Sequence, residues 1–403
     1  MKVLYIIRLF SGFESSINKS KWAPTGVPTI YKALEGFEKN FDLHVILNKK
    51  HGYSILKKNK SRRIKFNNFK NEFQILKNID LKFFSKKINK ILTEIYQILY
   101  HLKIFYNTKP DIIYFDNSNI ISSFIFTNFF KKPTFLRIMG VNPIMKNYYK
   151  ERDIKSWIYK RLYNSKFHSV IATQDGSGTE RWMKKAININ SNQYILINGV
   201  NKEKINKKEN QSKTINFCFI GKLEKQKGIN EFINTAIKFL NKDKKAKFTI
   251  VGEGSLFQEI SSKISINNFQ KEIDLIRHLD HKKIYDLLNR IDVYVSLNKY
   301  GNLSNTNLEA ISLNKAMVIL DSDKESEIDL FVDEFLPPNS VIRIDRNNIE
   351  ESLFKTFVKI SENKRVVSNL SKNIKLISNK LEPWDDRINK EIKIILKAYV
   401  RKT

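Results

Sequence analysis

Two lysines stand in a short polar segment between a predicted strand and a predicted helix. The segment reads Gly221-Lys222-Leu223-Glu224-Lys225-Gln226-Lys227-Gly228, and the helix is expected to follow Ile229. Lys222 and Lys227 would then lie beside the unpaired backbone N–H groups at the start of that helix. Ammonium groups next to such N–H groups favour an anion, and two of them suit a diphosphate. The same residues are also compatible with an ordinary polar turn whose lysines are solvated.

A second polar segment separates another predicted strand from another predicted helix. Its backbone N–H groups around Leu303, Ser304 and Asn305 could bind phosphate oxygens, because they precede a helix N-terminus. Glu309, one turn into that helix, could accept hydrogen bonds from a pair of vicinal hydroxyls. An alternative remains open, since Thr306 and Glu309 have the spacing of a capping box, in which the glutamate bonds back to the start of the helix.

Short apolar runs alternate with amphipathic segments of helical length along almost the whole chain. This alternation predicts βαβ units with a mostly parallel sheet in each half, and therefore an α/β fold. The predicted strands are Val3–Ile7, Leu43–Leu47, Ile112–Phe115, Thr134–Ile138 and Ser169–Ala172 in the first half, and Asn216–Ile220, Phe248–Val251, Val293–Leu297, Met317–Leu320 and Val341–Ile344 in the second. The predicted helices are Pro28–Lys39, Lys86–Phe105, Asn230–Asn241, Lys282–Arg290, Asn307–Ser312 and Glu350–Ser361.

The longest of these predicted helices carries an apolar stripe. The stripe consists of Ile88, Ile91, Leu92, Ile95, Ile98, Leu99 and Leu102, which recur every three or four residues. Such spacing is typical of one buried helix face. We therefore expect the stripe to pack against the core of its domain.

A polar segment without apolar periodicity, 201–213, interrupts the alternation and is interpreted as a linker. We predict an N-terminal domain over 1–200, a linker over 201–214 and a C-terminal domain over 215–385. The last helix is predicted over 386–403. Two doubly wound, Rossmann-like domains are expected to face a cleft, with ligands bound outside the carboxyl ends of the strands.

The composition excludes several classes of protein. The 403 residues include 13 glycines and 8 prolines, too few for collagen or for Gly/Pro-rich disorder. The single cysteine, Cys218, cannot form an internal disulfide or supply a cysteine-based zinc site. His278 and His281 could share a helix face, but no acidic third ligand stands at a suitable spacing. We expect neither a metal site nor a cofactor.

The chain is strongly basic, with 72 Lys and Arg against 41 Asp and Glu and a net charge of +31. Such a surface attracts polyanions, namely nucleic acid, anionic lipid or phosphorylated substrates. The densest patch, 57–65, is expected to contact an anion, although a general bias towards lysine also explains much of the charge. No stretch is long and apolar enough for a spanning helix, and we expect a cytoplasmic protein.

Several short motifs occur in order along the second half. They are Asn198-Gly199-Val200, the segment 221–228, Val251-Gly252-Glu253-Gly254, Asp292-Val293-Tyr294-Val295-Ser296 and Leu308-Glu309-Ala310. Together they resemble the group 1 glycosyltransferases of family 4, which are retaining enzymes of the GT-B fold. The resemblance is clear over 195–325 and weaker in the first half. Pro383-Trp384-Asp385 resembles the family's segment before a last helix, which implies that this helix crosses back to pack on the first domain.

The resemblance implies roles for residues of the second half. Lys222 stands where the family usually has arginine, Lys227 matches its lysine, and both would bind the donor diphosphate. Glu309 matches the second glutamate of the family's E-x7-E motif and would bind the nucleotide ribose. The resemblance places the remaining donor contacts at Gly221, Asn302, Leu303, Ser304 and Asn305, and contacts with the nucleotide base at Arg277, His278 and Leu279.

Three positions depart from the family's pattern or leave alternatives open. Gly301 stands where the first glutamate of the motif would contact the transferred sugar, so the sugar cannot be inferred, and Asn302 or Asn305 could take over that contact. Arg137 stands near a position where the family often has histidine, and it could contact donor phosphate or acceptor, or pair locally. Gly26 could let its loop approach the donor phosphates, or could form the turn before the following helix.

The resemblance implies a retaining glycosyltransferase that moves a sugar from a nucleoside-diphosphate donor to a hydroxyl of a glycan acceptor. We expect no divalent metal requirement, because fixed cations would stabilise the departing diphosphate. The basic surface suits a polyprenyl-linked acceptor at the inner face of the cell membrane, with peripheral attachment, as in capsule or O-antigen biosynthesis.

Two alternatives to this function remain. A nucleic-acid-binding protein would use the charge together with aromatic residues such as Phe66, Phe69 and Phe73, although no nucleic-acid-binding module is recognised and we expect no nucleic-acid partner. An epimerase or a phosphorylase of the same fold would bind the nucleotide sugar at the same site but catalyse a different reaction.

Overall fold

The computed structural model describes residues 1–50, 59–202, 214–242 and 244–400, without the side chain of Lys282. Lys57 and Lys58 of the basic patch and most of the predicted linker lie outside the described residues. The chain divides into two compact units. The first comprises Met1–Thr173, Thr179–Ile197 and Trp384–Thr403, and the second comprises Gln174–Gly178 and Asn198–Pro383.

The first unit is built around an eight-stranded sheet. Its strands are β1 (Lys2–Arg8), β2 (Asp42–Asn48), β3 (Arg62–Ile64), β4 (Phe73–Leu76), β5 (Ile112–Asp116), β6 (Thr134–Ile138), β7 (Ser169–Thr173) and β8 (Asn192–Leu196). They lie in the order β3-β4-β2-β1-β5-β6-β7-β8, and every neighbouring pair is parallel except β3 with β4. Because a parallel sheet is covered on both faces, its inner strands are apolar throughout rather than alternating.

Helices cover both faces of this sheet. They are α1 (Phe13–Asn18), α2 (Pro28–Asn40), α3 (Lys86–Thr108), α4 (Ile120–Phe129), α5 (Pro143–Lys150), α6 (Ile154–Tyr163) and α7 (Thr179–Ala186). One core cluster includes Phe13 of α1 and Phe37 of α2. The cluster on the other face includes Phe105 of α3, Phe126 of α4 and Trp182 of α7.

The second unit is built around a six-stranded sheet whose neighbouring strands are all parallel. Its strands are β9 (Ile215–Ile220), β10 (Ala246–Val251), β11 (Ile273–Ile276), β12 (Val293–Ser296), β13 (Ala316–Leu320) and β14 (Ile342–Ile344). Its helices are α8 (Ile229–Leu240), α9 (Phe257–Ile266), α10 (His281–Arg290), α11 (Asn305–Ser312), α12 (Leu330–Phe335), α13 (Ile349–Glu362) and α14 (Arg365–Ser378).

The strand order of the second unit, β11-β10-β9-β12-β13-β14, is doubly wound. From β9 the chain adds β10 and β11 on one side of the sheet. It then returns to the centre, where β12 pairs with the other side of β9, and β13 and β14 follow outward. The loops that follow β9 and β12 therefore leave the same edge of the sheet side by side. Sheets of this kind bind ligands at that edge, outside the carboxyl ends of the two strands.

The last helix, α15 (Trp384–Val400), belongs to the first unit, as the resemblance implied. Its Glu391 is 1% exposed and accepts a hydrogen bond from the Tyr114 hydroxyl of β5. The Glu391 carboxylate also lies 2.8 Å from Nη1 of Arg387 and 3.7 Å from Nε of Arg137 on β6. Burial raises the pKa of Glu391, but the charges of Arg137 and Arg387, together with the hydrogen bonds from Tyr114 and Arg387, hold that pKa below its usual value.

The predicted strands are all present, and their ends differ from the prediction by two residues or fewer. Four strands were not predicted, namely β3, β4, β8 and β11. β3 and β4 are only three and four residues long. β8 is mostly exposed or half-buried, so its sequence has no continuous apolar run.

The prediction that the apolar stripe of α3 is buried is wrong for four of its seven residues, whereas Leu92, Ile98 and Leu102 are half-buried. Ile88, Ile91, Ile95 and Leu99 are 42%, 60%, 49% and 61% exposed. The helix instead buries its polar residues Asn89, Thr93, Gln97 and His101. The surface beneath these polar residues offers hydrogen-bonding groups, such as the side chain of Asn48, whereas Ile104 and Phe105 further along the helix pack in the apolar core.

Candidate functional site

The first predicted segment forms the loop after β9. Its short 3-10 turn, Lys225–Lys227, leads directly into α8. The backbone N of Gly221 donates to Val251 O at 3.0 Å. The Glu224 carboxylate accepts hydrogen bonds from the backbone N and the hydroxyl of Ser255 at 3.1 and 2.7 Å. These bonds fix the loop against the segment that follows β10.

Lys222 and Lys227 lie near each other on this loop. Lys222 is exposed, whereas Lys227 is half-buried. The pKa of Lys227 is lowered by burial first; the nearby Asp175 carboxylate opposes this shift, and the charge of Lys222 adds to it. Two cations at the carboxyl edge of a parallel sheet, beside a helix N-terminus, form a suitable binding site for a diphosphate.

The loop after β12 lies beside the loop after β9. The backbone N of Lys299 donates to Gln226 O at 3.0 Å. The Lys299 ammonium group also lies 2.6 Å from the carboxylate of Glu231 on α8. The two polar segments that the sequence singled out are therefore neighbours at one edge of the second sheet.

Asn302 and Leu303 hold the second loop in place. The backbone N and Nδ2 of Asn302 donate to the two carboxylate oxygens of Asp329, each at 2.7 Å, and Asn302 Oδ1 accepts from the Ser296 hydroxyl at 2.9 Å. The backbone N of Leu303 donates to Asp175 O at 3.0 Å. Because these groups are buried and already bonded, we withdraw the assignment of Asn302 and Leu303 as donor contacts.

Asp329 joins this loop to two other segments. The Arg346 guanidinium contacts the Asp329 carboxylate at 2.9 Å. The backbone N of Asp329 donates to Gly176 O at 2.7 Å. Burial raises the pKa of Asp329 to about 6, against the opposing effect of the Asn302 donors and Arg346. Neither Asp329 nor Arg346 stands in a sequence motif or near one, so the sequence does not point to either residue.

The segment Gln174–Gly178 is part of the second unit, whereas the predicted range 1–200 placed it in the first domain. Backbone bonds from Leu303 to Asp175 and from Asp329 to Gly176 hold it there. The Asp175 side chain is half-buried; burial raises its pKa, while bonds from Ser177 and the charge of Lys227 lower it. Asp175 is thus a carboxylate close to Lys227 that no sequence motif indicates.

Gly301 packs against this segment. Its φ is +134°, and a Cβ there would lie 2.6 Å from Asp175 O and 2.8 Å from the carbonyl carbon of Gly176. Both contacts are with backbone, which cannot turn aside as a side chain can. Only glycine fits this position, so the departure from the family's first glutamate has a structural cause.

Glu309 is not part of a capping box. Helix α11 begins at Asn305, and its N-cap is Ser304, whose hydroxyl accepts from the backbone N of Asn307. The Glu309 carboxylate instead lies 2.8 Å from Nε2 of His281 at the start of α10. The side chain of Glu309 is 6% exposed. The capping-box alternative is therefore wrong, and Glu309 is held by a neighbouring helix.

Glu309 also lies near Tyr294, whose hydroxyl reaches the end of β9. Its charge is one of the causes, after burial, that raise the pKa of Tyr294 on β12. The Tyr294 hydroxyl lies 3.5 Å from the backbone oxygen of Ile220, the last residue of β9. Lys222, Lys227 and Glu309 thus all lie at the carboxyl edge formed by β9 and β12.

Ser304 and Asn305 lie at the N-terminus of α11, where backbone N–H groups have no partner within the helix. The side chains of both residues are half-buried. Asn305 Oδ1 accepts from Nδ2 of Asn198 at 2.8 Å, which links α11 to the Asn-Gly-Val motif. The backbone of Ser304 and Asn305 remains suited to an anion.

Arg277, His278 and Leu279 follow β11 at the same edge of the sheet. The Arg277 guanidinium lies 2.8 Å from the Glu253 carboxylate and 3.8 Å from the ring centre of Phe257. His278 is exposed and Leu279 is half-buried. Their contact with a nucleotide base stays a prediction.

Two predicted site residues lie in the first unit, and local structure explains both. Gly26 has a φ of +73°, and a Cβ there would lie 2.8 Å from Ser11 O, so the turn itself requires glycine. Arg137 is 2% exposed and donates to Ile171 O and the Thr173 hydroxyl at 3.1 and 2.9 Å. Local pairing is the alternative that the structure shows for Arg137, and we withdraw its assignment as a donor contact.

The aromatic residues considered for nucleic-acid binding belong to the core of the first unit. Phe66, Phe69 and Phe73 are 2%, 3% and 0% exposed. Trp22 stacks on Phe73 with ring centres 5.0 Å apart. A buried ring cannot stack on a base, so these residues give no support to nucleic-acid binding.

Within residues 1–50, 59–202, 214–242 and 244–400, no group of three or more His, Cys, Asp and Glu side chains is placed to bind a metal ion. In the same part of the chain, every helix is too short or too polar to cross a membrane.

Residues 200–351 match the family model described as Glycosyl transferases group 1. Two curated relatives are uncharacterized glycosyltransferases of Methanocaldococcus jannaschii. MJ1069 is 27% identical over 216 residues, which are 51% of this chain and 53% of that protein. MJ1059 is 27% identical over 250 residues, which are 58% of this chain and 60% of that protein. The chain thus spans little more than half the length of the curated relatives it matches.

Solved structures resemble all or most of the chain. Sucrose-phosphate synthase from Thermosynechococcus elongatus has a TM-score of 0.75 at 12% identity and covers 100% of both chains. HepE from Anabaena, in complex with UDP and glucose, has a TM-score of 0.67 at 12% identity and covers 99% of this chain and 100% of its own. TarM has a TM-score of 0.54 at 18% identity over 70% of this chain and 54% of its own. These likenesses show that the chain has the GT-B fold, as predicted.

Proposed function

We propose that this protein is a retaining glycosyltransferase that moves a sugar from a nucleoside-diphosphate donor to a hydroxyl group of a glycan acceptor. The observation that carries the proposal is the position of Lys222 and Lys227 at the edge formed by β9 and β12. That edge lies within the region 200–351 that matches the group 1 family. The UDP bound in the HepE structure supports a nucleoside diphosphate as the ligand class.

The two lysines would act on the leaving group. The acceptor oxygen forms a bond to the anomeric carbon of the sugar while the bond from that carbon to the diphosphate oxygen breaks. Negative charge then accumulates on the diphosphate, where Lys222, Lys227 and the N-terminus of α11 stabilise it more strongly than in the ground state. Fixed cations would take the place of a divalent metal, so we expect transfer to continue in the presence of EDTA.

Retention would follow from attack on the same face from which the diphosphate departs. In this route the departing phosphate oxygen accepts the proton of the acceptor hydroxyl, and no covalent sugar–enzyme intermediate is formed. The proposal therefore predicts a product with the anomeric configuration of the donor.

Glu309 would accept hydrogen bonds from the two hydroxyls of the donor ribose. His281, 2.8 Å away, would fix the orientation of the carboxylate before the donor binds. Ser304 and Asn305 would contact the donor phosphates through their backbone. Asn305 remains a candidate for contact with the transferred sugar, since Asn302 is occupied by Asp329.

We propose a polyprenyl-linked glycan as acceptor, in the synthesis of an envelope polysaccharide such as capsule or O-antigen. The net charge of +31 supports this, because an anionic membrane would attract the protein to the lipid that carries the acceptor. The protein would then be cytoplasmic and attach to the inner face of the cell membrane.

The donor is identified by a thermal-shift panel of UDP-, GDP-, ADP- and CMP-sugars, since a ligand that binds only the folded protein raises its stability. Lys227→Ala is then compared with Lys225→Ala, whose lysine lies two residues away and is exposed. We expect Lys227→Ala to reduce turnover by about 100-fold or more and Lys225→Ala to leave it nearly unchanged. Equal turnover of both variants would remove Lys227 from the mechanism, and product analysis would reveal an epimerase or a phosphorylase.

A further inference from the structure

Helix α3 presents an apolar surface to solvent, together with the turn that precedes it. We call this surface the α3 outer face; its members are Leu81, Phe83, Phe84, Ile88, Ile91, Ile95 and Leu99, which are 46%, 98%, 47%, 42%, 60%, 49% and 61% exposed. The helical members recur every three or four residues, so they form one continuous stripe. Contiguous exposed apolar surface of this kind marks a site of interaction with a protein or a membrane.

The orientation of α3 is fixed by its polar side. Gln97 Nε2 donates to the backbone oxygens of Lys49 and Lys77 at 3.0 and 3.3 Å. His101, fully buried, lies 3.0 Å from the Ser122 hydroxyl and within hydrogen-bond distance of Asn48. Rotating the helix to bury its apolar stripe would break these bonds and leave buried polar groups unpaired.

The turn before the helix is fixed in the same way. Asn89 Oδ1 accepts from the backbone N of Leu81 at 3.0 Å. Asn89 Nδ2 donates to the backbone oxygens of Leu81 and Phe84 at 2.9 and 3.3 Å. Phe83 is therefore held 98% exposed by a bonded turn rather than by a frayed end.

The surroundings of the α3 outer face are basic. Between residues 81 and 109 the chain has lysines at 82, 86, 87, 90, 103 and 109, all of them exposed. The acidic residues there and at its edge are Glu94, which is paired with Lys50 at 2.7 Å, and the exposed Asp80 beside Leu81. The described part of the basic patch adjoins the helix, because the Ser61 hydroxyl lies 2.9 Å from the hydroxyl of Tyr96.

Helix α6, in the same layer of helices as α3, also has exposed apolar side chains next to a cation. Ile154, Trp157 and Ile158 are 80%, 58% and 43% exposed. The Arg161 guanidinium lies 4.9 Å from the ring centre of Trp157. Tryptophan beside a cationic side chain is typical of residues at the level of lipid headgroups.

We propose that the α3 outer face inserts into the headgroup region of an anionic membrane, with the surrounding lysines in contact with lipid phosphates. The inference deepens the membrane attachment proposed above and rests on it. A membrane satisfies both parts of the surface at once, since apolar side chains enter the acyl boundary while cations meet anionic headgroups. A second copy of the chain would bring the same lysines face to face at a net charge of +31 each, which disfavours self-association.

The test uses sedimentation of the full chain with vesicles of phosphatidylcholine, alone or mixed with phosphatidylglycerol. The variant is Ile91→Gln with Ile95→Gln, since glutamine favours helix at least as well as isoleucine and both side chains are exposed. The matched control is Ile266→Gln, at the end of α9 in the second unit, whose side chain is 78% exposed. We expect the double variant to bind mixed vesicles about tenfold more weakly or worse, and the control to bind as the unchanged chain does.

Three results would overturn the inference. The unchanged chain could bind neither kind of vesicle, the double variant could bind mixed vesicles as tightly as the control, or the chain could dimerise through Ile91 and Ile95 in light scattering. The vesicles contain neither donor nor acceptor, so these results do not depend on glycosyl transfer. Donor-induced thermal shifts of the double variant test the proposed function separately, and we expect them to be unchanged.

Discussion

Gly301 packs directly against the backbone of Asp175. A Cβ added at Gly301 would lie only 2.6 Å from the carbonyl oxygen of Asp175. The resemblance puts a glutamate at position 301, but the backbone of 175–177 occupies the space that its side chain would need. The Asp175 carboxylate also lies close enough to Lys227 for each charge to shift the pKa of the other group. The loop after β12 thus lacks the expected carboxylate, and a distant segment of the chain supplies another one nearby.

We expect Gly301→Ala to lower the free energy of unfolding by about 2 kcal/mol, because the new Cβ would force either the loop or segment 175–177 to move. Chemical denaturation measures the loss. Gly221→Ala is the control for stability, since a Cβ there would meet only Phe219 at 3.8 Å. Equal stability of the two variants would contradict the close packing at Gly301.

Asp175→Asn should change how donor binding depends on pH. The pKa of Lys227 is lowered by burial, and the Asp175 carboxylate opposes that shift. Without this carboxylate the pKa of Lys227 falls further, so its ammonium group loses its proton at a lower pH. We expect the alkaline decline of donor affinity, measured by calorimetry, to move to lower pH in this variant.

The control for this experiment is Asp274→Asn on β11, which removes one exposed carboxylate from the same unit. Its profile should coincide with that of the unchanged chain. If Asp175→Asn leaves the alkaline decline of donor affinity at the same pH, either Lys227 does not bind the donor or Asp175 does not affect Lys227. Donor binding by Lys227→Ala distinguishes these two explanations.

Glu391→Gln should destabilise the first unit strongly. The substitution would leave the buried guanidinium groups of Arg137 and Arg387 without their carboxylate, and breaking such a pair costs about 3–5 kcal/mol. Glu362→Gln is a matched control, because Glu362 also lies 2.8 Å from a cation, Lys244, but is 60% exposed. We expect the control to lose less than about 1 kcal/mol of unfolding free energy.

The sequence was sufficient to locate the two loops of the site. Continuous apolar runs identify the inner strands of a parallel sheet, and polar residues that directly follow such runs must lie at its carboxyl edge. Lys222, Lys227 and Glu309 follow such runs, and the structure has all three residues at that edge. Their roles in donor binding stay predictions.

Other parts of the site could not be predicted from the sequence, because they depend on contacts between distant segments. Asp175 and Asp329 reach the loop of Asn302 from positions with no shared motif. The buried side of α3 shows the same limit. A stripe of apolar residues predicts an apolar helix face, but it does not predict which groups the neighbouring strands present to the helix. Here those groups are the side chain of Asn48 and backbone oxygens, which bond to the polar side of α3.

His101 should make the first unit sensitive to acid. Burial, followed by the charge of Lys50, lowers the pKa of His101 from 6.5 to about 3. Between these two values the unfolded chain binds a proton at this position and the folded chain does not, so the free energy of unfolding falls as the pH falls through the window. His101→Gln removes the titrating group. Between about pH 7 and about pH 4, the free energy of unfolding of the unchanged chain should fall by about 3 kcal/mol more than that of the variant. Chemical denaturation at each pH measures this difference. His44→Gln, at a half-exposed histidine of β2, controls for the general effect of removing a histidine. A difference between the unchanged chain and His101→Gln that stays constant with pH would show that His101 is not kept neutral by its burial.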